Sequence, residues 1–166
     1  MRVLVVYGSK MGGTAELAAW IVEELEEAGF EADLEDGLDR PSPEGYDAVI
    51  VGGALYADRW QKGARRFVRR HADTLATLPT WAFSSGPLNE DAAGADIPPT
   101  DAVQRVLDRF GPRGHRTFGG KLSEDPGWFP ASSMAQTELA GDWRDRTEVA
   151  RWVAGIAAEL RSRAES

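Results

Sequence analysis

At 166 residues the chain can bury one sizeable core but is short for two ordinary domains, so a single domain over residues 1–166 is expected. Nineteen Lys and Arg against 27 Asp and Glu leave a formal charge of -8, which argues against nucleic acid and anionic membrane surfaces as partners. With no Cys there are no disulfides, thiolate metal sites or thiol relays, so any redox chemistry has to be carried by a bound group.

Met1-Arg2 lead straight into Val3-Leu4-Val5-Val6-Tyr7. This β-branched run suits a strand buried on both faces and is too short for a signal-peptide core or a membrane span. No other segment approaches spanning length, and a soluble cytoplasmic protein without an integral membrane segment is expected. The stretch Gly8 to Gly13 breaks the strand, and from Thr14 the period changes. Leu17, Ile21 and Leu25 recur every four residues while Glu16, Glu23, Glu24, Glu26 and Glu27 take the other face, which predicts an amphipathic helix ending at Gly29. Phe30 to Leu34 alternates apolar and acidic residues like a half-exposed edge strand. Gly37 to Gly45, with two prolines, leaves room for a loop or a single turn.

Ala48-Val49-Ile50-Val51 predicts a third strand, closed by Gly52-Gly53, and a helix follows from about Gln61 to Leu75. Trp81-Ala82-Phe83 predicts a fourth strand ending in Ser84-Ser85-Gly86-Pro87, and Val103, Val106, Leu107 and Phe110 then fall at helical spacing. Arg116-Thr117-Phe118 with Gly119-Gly120 is a fifth strand of thin apolar content. Lys121 to Trp143 has no period and reads as an extended surface excursion, while Asp145 with Glu148 resembles a capping box that starts the closing helix, striped by Val149, Trp152, Val153, Ile156 and Leu160. Alternation of this kind builds a parallel α/β sandwich with helices on both faces. Trp20, Trp81 and Trp152 read as core or core-edge residues by their periodic positions.

In such sheets ligands bind beyond the carboxyl ends of the strands, and the turns at Gly8, Gly52, Ser84 and Gly119 all lie there. The first of them, Ser9-Lys10-Met11-Gly12-Gly13-Thr14, joins a buried strand to a helix N-terminus, whose free N–H groups and positive dipole end favour an anion. Ser9 and Thr14 supply hydroxyl donors, and Gly12 and Gly13 let the backbone close around a phosphate. A Walker A loop would carry Lys directly after the second glycine, where Thr14 stands, and the G-x-G-x-x-G spacing is absent. A phosphoacceptor receiver domain would need carboxylates at the ends of the first and third strands. The remaining reading is a phosphate monoester, set against a mere tight strand-to-helix turn.

The loop resembles that of the flavodoxin family, Ser/Thr-x-Thr-Gly-x-Thr, with Ser9, Gly12 and Thr14 matching and Met11 standing where a second Thr donor is usual. The chain is also similar to the flavodoxin-domain branch that includes menaquinone-dependent protoporphyrinogen oxidases. Tyr7 to Thr14, Val51-Gly52-Gly53-Ala54-Leu55-Tyr56, Phe67-Val68-Arg69-Arg70-His71 and Gly141-Asp142-Trp143-Arg144-Asp145 carry that likeness. The resemblance implies a flavodoxin-like three-layer sandwich with a five-stranded parallel sheet of order 2-1-3-4-5, and FMN as cofactor. Its phosphate would lie on Ser9 to Thr14. Its ring would be cradled by Gly53, Ala54, Leu55 and Tyr56 and by Ser84, Ser85, Gly86, Pro87 and Leu88, with Gly119 and Gly120 at the fifth strand's end and Trp60 a weaker candidate.

The implied function is electron transfer between a reductant and a redox partner protein or a small acceptor such as a quinone or porphyrinogen. No side chain is then needed as acid, base or nucleophile, because the redox chemistry belongs to the flavin. Porphyrinogen oxidation is the alternative, set back by an excursion at Lys121 to Trp143 that is shorter and less basic than in those enzymes. A flavin-free interaction domain is the third. Whether Trp128 and Phe129 in that excursion cover the flavin would separate an enzyme from a carrier. His71 and His115 read as surface residues rather than metal ligands. Arg65, Arg66, Arg69, Arg70 and His71 read first as a solvated face paired with nearby acids, and second as a landing site for an anionic substrate or an acidic partner.

Overall fold

The apolar runs and the four-residue spacings assemble into one sheet covered on both faces. The computed structural model describes residues 1–10, 12–86, 97–119, 121–122, 141–142 and 144–165. Six strands form the main sheet: β1 (Arg2–Gly8), β2 (Glu31–Asp36), β3 (Ala48–Tyr56), the two-residue β4 (Arg59–Trp60), β5 (Thr80–Ser85) and β6 (His115–Phe118). The five long strands are parallel in the order β2-β1-β3-β5-β6, which is the expected 2-1-3-4-5 once β4 is set aside. In register, Val5 lies between Leu34 and Ile50, and Ile50 lies beside Trp81.

Helices α1 (Gly13–Glu27) and α4 (Arg146–Glu165) cover one face, and α2 (Lys62–Leu75) and α3 (Asp101–Leu107) the other. Val3 and Val5 of β1 point into the α1/α4 layer with Leu17, Ile21, Val153 and Leu160, while Leu4 and Val6 point into the α2/α3 layer with Phe67, Val68 and Leu107. This two-sided burial is why β1 is apolar at every position rather than at alternate ones. Trp81 is buried in the first layer, and Trp20 and Trp152 pack partly buried against it, as their periodic positions predict. In edge strand β2 Glu31 and Asp33 are exposed as predicted, but Leu34 is exposed as well and Glu35 and Asp36 are half-buried, so the alternation stops after Asp33.

Three local features depart from the sequence reading. Gly52 and Gly53 do not end the third strand but pair with Phe83 and Ser84 of β5, and β3 runs on to Tyr56 because β4 folds back and gives Leu55 and Tyr56 antiparallel partners. Gly52 marks a close approach instead of a turn, since a Cβ there would lie 2.4 Å from the Phe83 ring. Second, Ser84 and Ser85 are the last residues of β5 rather than loop residues. Third, the two ends of the excursion are pinned together, with β7 (Lys121–Leu122) antiparallel to β8 (Gly141–Asp142). The segment after β2 is the single turn expected, a 3-10 helix at Gly37–Asp39 capped by Asp36, whose side chain accepts from Leu38 N at 2.9 Å.

The chain leaves β1 for β2 on one side and then places β3 on the other, so the strand order reverses between β1 and β3. Ligand crevices form at such a reversal, a rule drawn in part from flavodoxins themselves.

Candidate functional site

The crevice floor is the turn from β1 into α1. Gly12 caps α1 in the left-handed conformation (φ +85), a backbone that strongly favours glycine, and no side chain caps the helix. The N–H groups of the first turn are left for another acceptor. Gly12 N donates to Ser9 Oγ at 3.1 Å, so the turn is closed on itself at that amide. Thr14 is buried, with 3% of its surface exposed, and its hydroxyl has no protein partner among the described residues. Gly8 lets the first turn of α2 close against the end of β1, because a Cβ there would lie 2.7 Å from Ala64 N and 3.0 Å from Gln61 O. Met11 lies outside the described residues.

Glu16, in the first turn of α1, would repel a bound anion, and the fold answers it with Arg144. Arg144 Nη1 donates to Glu16 Oε2 at 2.8 Å and to Gly13 O at 3.2 Å, and its guanidinium lies 4.6 Å from the centre of the Trp20 ring. Its side chain is only 4% exposed. An arginine 131 residues further along the chain thus braces the loop and offsets its one carboxylate. In the sequence Arg144 stands only within the Gly141 to Asp145 stretch that carries the family likeness, and no spacing rule connects it to Gly13.

The second wall is a hairpin. Ala57 and Asp58 join β3 to β4 with φ +50 and +64, the two positive values of a type I′ turn, although neither is glycine or asparagine. The hairpin is tied down by Thr100 Oγ1 donating to Asp58 O at 2.6 Å and by Arg65 Nε donating to Trp60 O at 2.9 Å. It presents Tyr56, 44% exposed, beside a cleft of about 680 Å³ that also meets Ser9, Lys10, Arg59, Lys62 and Arg65. Trp60 is turned inward, 2% exposed, with Nε1 donating to Ser84 Oγ at 2.8 Å.

Of the proposed ring cradle, Gly53 to Tyr56 form the crevice end of β3, with Gly53 beside Gly8 and Ser84. Ser84 is 1% exposed and spends its hydroxyl between Trp60 and His115 Nε2, the latter at 2.9 Å, so it supports the site from beneath. Ser85 is also buried, and Gly86 closes the strand with its N–H on Phe118 O at 2.9 Å. Gly119 follows β6 at the same sheet end. Pro87, Leu88, Gly120, Trp128 and Phe129 lie outside the described residues.

Two side-chain expectations are corrected. His71 and His115 are half-buried, not surface residues. His115 sits on Ser84, while His71 lies in a local departure from helical geometry against Phe67, its rings' centres 5.1 Å apart. Burial, with help from Arg70, holds the His71 imidazole below its usual pKa. The basic face of α2 does not pair with acids: Lys62, Arg65, Arg66, Arg69 and Arg70 make no ion pair with the described residues.

The comparisons with known proteins agree with this geometry. The model of the flavodoxin domain family matches residues 4–134. The chain belongs to that family. This flavodoxin domain is 29% identical over 86 residues to a protoporphyrinogen IX dehydrogenase [quinone] of Escherichia coli (strain K12), a match covering 51% of this chain and 48% of that protein. It therefore spans about half the length of the curated relatives it matches. Among solved structures, a flavodoxin from the domain Archaea superposes with a TM-score of 0.63 at 16% identity, covering 97% of this chain and 99% of that one. Rubredoxin oxygen:oxidoreductase from Desulfovibrio gigas gives 0.67 at 13% identity, covering 99% of this chain and 37% of that one. At these identities the structures speak for the fold.

Family membership supports FMN as the cofactor and electron-transfer oxidoreductase chemistry in general terms. The residues present fit FMN: an uncapped helix N-terminus, a Thr14 hydroxyl unpartnered among the described residues and open space at the Gly12 Cβ position suit a phosphate. Among the described residues no helix is long and apolar enough to cross a membrane.

Proposed function

We propose that this flavodoxin domain is a single domain that binds FMN with its phosphate on Ser9 to Thr14 and passes electrons between a reductant and a small-molecule or protein acceptor. The observation that carries the reading is the uncapped α1 N-terminus at the strand-order reversal, with Gly12 in the left-handed conformation and beside it the Thr14 hydroxyl, unpartnered among the described residues. When bound, FMN would supply reversible electron transfer. The protein's own part is to bind, orient and shield. The amides of the first α1 turn and the Thr14 hydroxyl would hold the phosphate, and Ser9, whose Oγ accepts from Gly12 N, keeps its own O–H as a donor toward it. Arg144 keeps Glu16 from opposing the charge. The Tyr56 hairpin and the Ser85-Gly86 strand end bound the ring, and the Trp60–Ser84–His115 hydrogen bonds stiffen the floor beneath it.

Purified protein should be yellow, and titration of the apoprotein should quench FMN fluorescence. Thr14→Ala should weaken FMN about tenfold, the value of one lost hydrogen bond to a charged group, while the apoprotein keeps its fold by circular dichroism. Colourless protein that fails to quench FMN overturns the proposal in favour of a flavin-free interaction domain.

A second reading, porphyrinogen oxidation with a quinone acceptor, draws on the curated relative and on the cleft that joins exposed Tyr56 and Leu38 to Lys10, Arg59 and Lys62. That mixture suits a flat apolar body carrying carboxylates. Anaerobic turnover of protoporphyrinogen IX with a soluble naphthoquinone tests it, and absence of turnover by FMN-loaded protein removes it.

A further inference from the structure

The charges of this flavodoxin domain are segregated. Every exposed position on the first nine residues of α2 is basic: Lys62, Arg65, Arg66, Arg69 and Arg70, with Arg59 adjoining on the hairpin. None of the six forms an ion pair with the described residues, whereas Arg2, Arg113, Arg116, Arg144 and Arg146 all reach a carboxylate. The arrangement works against the helix itself. Lys62 with Arg66, Arg65 with Arg69, and Arg66 with Arg70 are like charges one turn apart, which destabilise a helix. Asp73, four residues after Arg69, is left unused. Removing these six cations from the formal -8 leaves the rest of the chain at -14.

We propose that this face docks an acidic redox protein that exchanges electrons with the flavin site. The electron-transfer role rests on the function proposed above, whereas the docking rests on the charge pattern alone. Position favours the assignment: Arg59, Lys62 and Arg65 line the same cleft as Ser9 and Lys10, so the patch starts at the phosphate turn and runs along α2. Tyr56, paired with Arg59 across the hairpin and 44% exposed, offers an aromatic contact at that end. Size favours a compact protein partner over a polymer or a membrane. From Lys62 to Arg70 the stripe is only about 12 Å long at 1.5 Å per residue. A DNA duplex or an anionic bilayer broader than that meets the acidic remainder, whereas a single acidic patch meets only the cations.

The test uses a fluorescently labelled plant-type ferredoxin as an acidic probe, titrated with the purified full chain at low and physiological salt while anisotropy is read. Arg66, Arg69 and Arg70, which do not line the cleft, are changed together to Glu and, in a milder variant, to Gln. The expected result is salt-sensitive binding that falls about tenfold or more in the Glu variant at low salt, less in the Gln variant, with circular dichroism and FMN content unchanged. Equal affinity in wild type and both variants, or affinity indifferent to salt, overturns the proposal. So does tighter patch-dependent binding to phosphatidylglycerol vesicles or to a short DNA duplex. The two readings fail separately: flavin-free protein with patch-dependent ferredoxin binding refutes the cofactor assignment only, and FMN-loaded protein with patch-independent binding refutes the docking only.

Discussion

Replacing Arg144 with Gln isolates the electrostatics of the phosphate turn. Gln keeps a polar side chain of moderate size but removes the charge that meets Glu16 at 2.8 Å and Gly13 O at 3.2 Å. Glu16 is then an uncompensated carboxylate one helical turn from the anion site, a separation of about 8 Å when a hydrogen-bond length is added to the 5.4 Å pitch. Glu16 is 57% exposed, which calls for an effective dielectric of about 40, and at that value two unit charges 8 Å apart repel by about 1 kcal/mol. A phosphate near its second charge doubles this to about 2 kcal/mol, or roughly thirtyfold in FMN affinity at low ionic strength, shrinking to about three- to fourfold as the Debye length falls to about 8 Å. Fluorescence titration with FMN and with riboflavin, which lacks the phosphate, separates charge from packing. FMN should weaken while riboflavin holds within about twofold, and the double variant Arg144→Gln with Glu16→Gln should recover most of the loss. Equal weakening of both flavins, or no recovery in the double variant, would mean that Arg144 acts through its contact with Trp20, and the electrostatic argument would be wrong.

Other perturbations read the scaffold. Gly8→Ala forces a methyl against Ala64 N and Gln61 O, so the urea midpoint should drop by the equivalent of about 2 kcal/mol, and an unchanged midpoint would show that α2 can back away. Ala57→Gly relieves a positive φ in the hairpin and should raise stability by about 0.5–1 kcal/mol, with a loss of stability refuting the strain. Because the folded state lowers the His71 pKa, the unfolded chain binds more protons, and stability rises with pH across the window between the two values. The contribution is therefore complete above about pH 6.5 and falls away on acidification toward the depressed folded value. His71→Gln should flatten that part of the thermal-midpoint profile, and an identical acid slope in wild type and variant would place its origin elsewhere.

How far the sequence reveals this molecule depends on how local each feature is. The β-branched run Val3 to Val6 and the four-residue spacing of Leu17, Ile21 and Leu25 already assign the strand and the helix face, because burial on a pleat or a helical stripe is a periodic demand. The phosphate turn is legible for the same reason: strand, glycines, hydroxyls and helix start lie within eight residues. The β4 hairpin is not, since Ala57-Asp58 lacks the glycine or asparagine that announces a type I′ turn, and its positive φ values are held by Thr100 and Arg65 from outside. The supposed capping box misleads in a related way. Asp145 caps Thr147 N at 2.9 Å, but Glu148 turns to Arg116 of β6 at 3.4 Å, a partner that only the folded sheet brings near.

The same distinction sorts the candidate site. Its anion-binding half is a property of one segment, and its amides converge wherever that segment folds. The ring-facing half has to be assembled from β3, β4, β5 and β6, and assembly reassigns individual side chains: Trp60 becomes floor, and Ser84 is consumed by Trp60 and His115. Charge shows the effect most clearly. A helix rich in arginine reads as a solvated, self-neutralising face while its neighbours are unknown, and only the placement of the described carboxylates shows that, among the described residues, the cations on α2 have been left without one. Ion pairs are set by tertiary placement, so the feature that separates docking from mere solvation is the one a linear reading is least equipped to find.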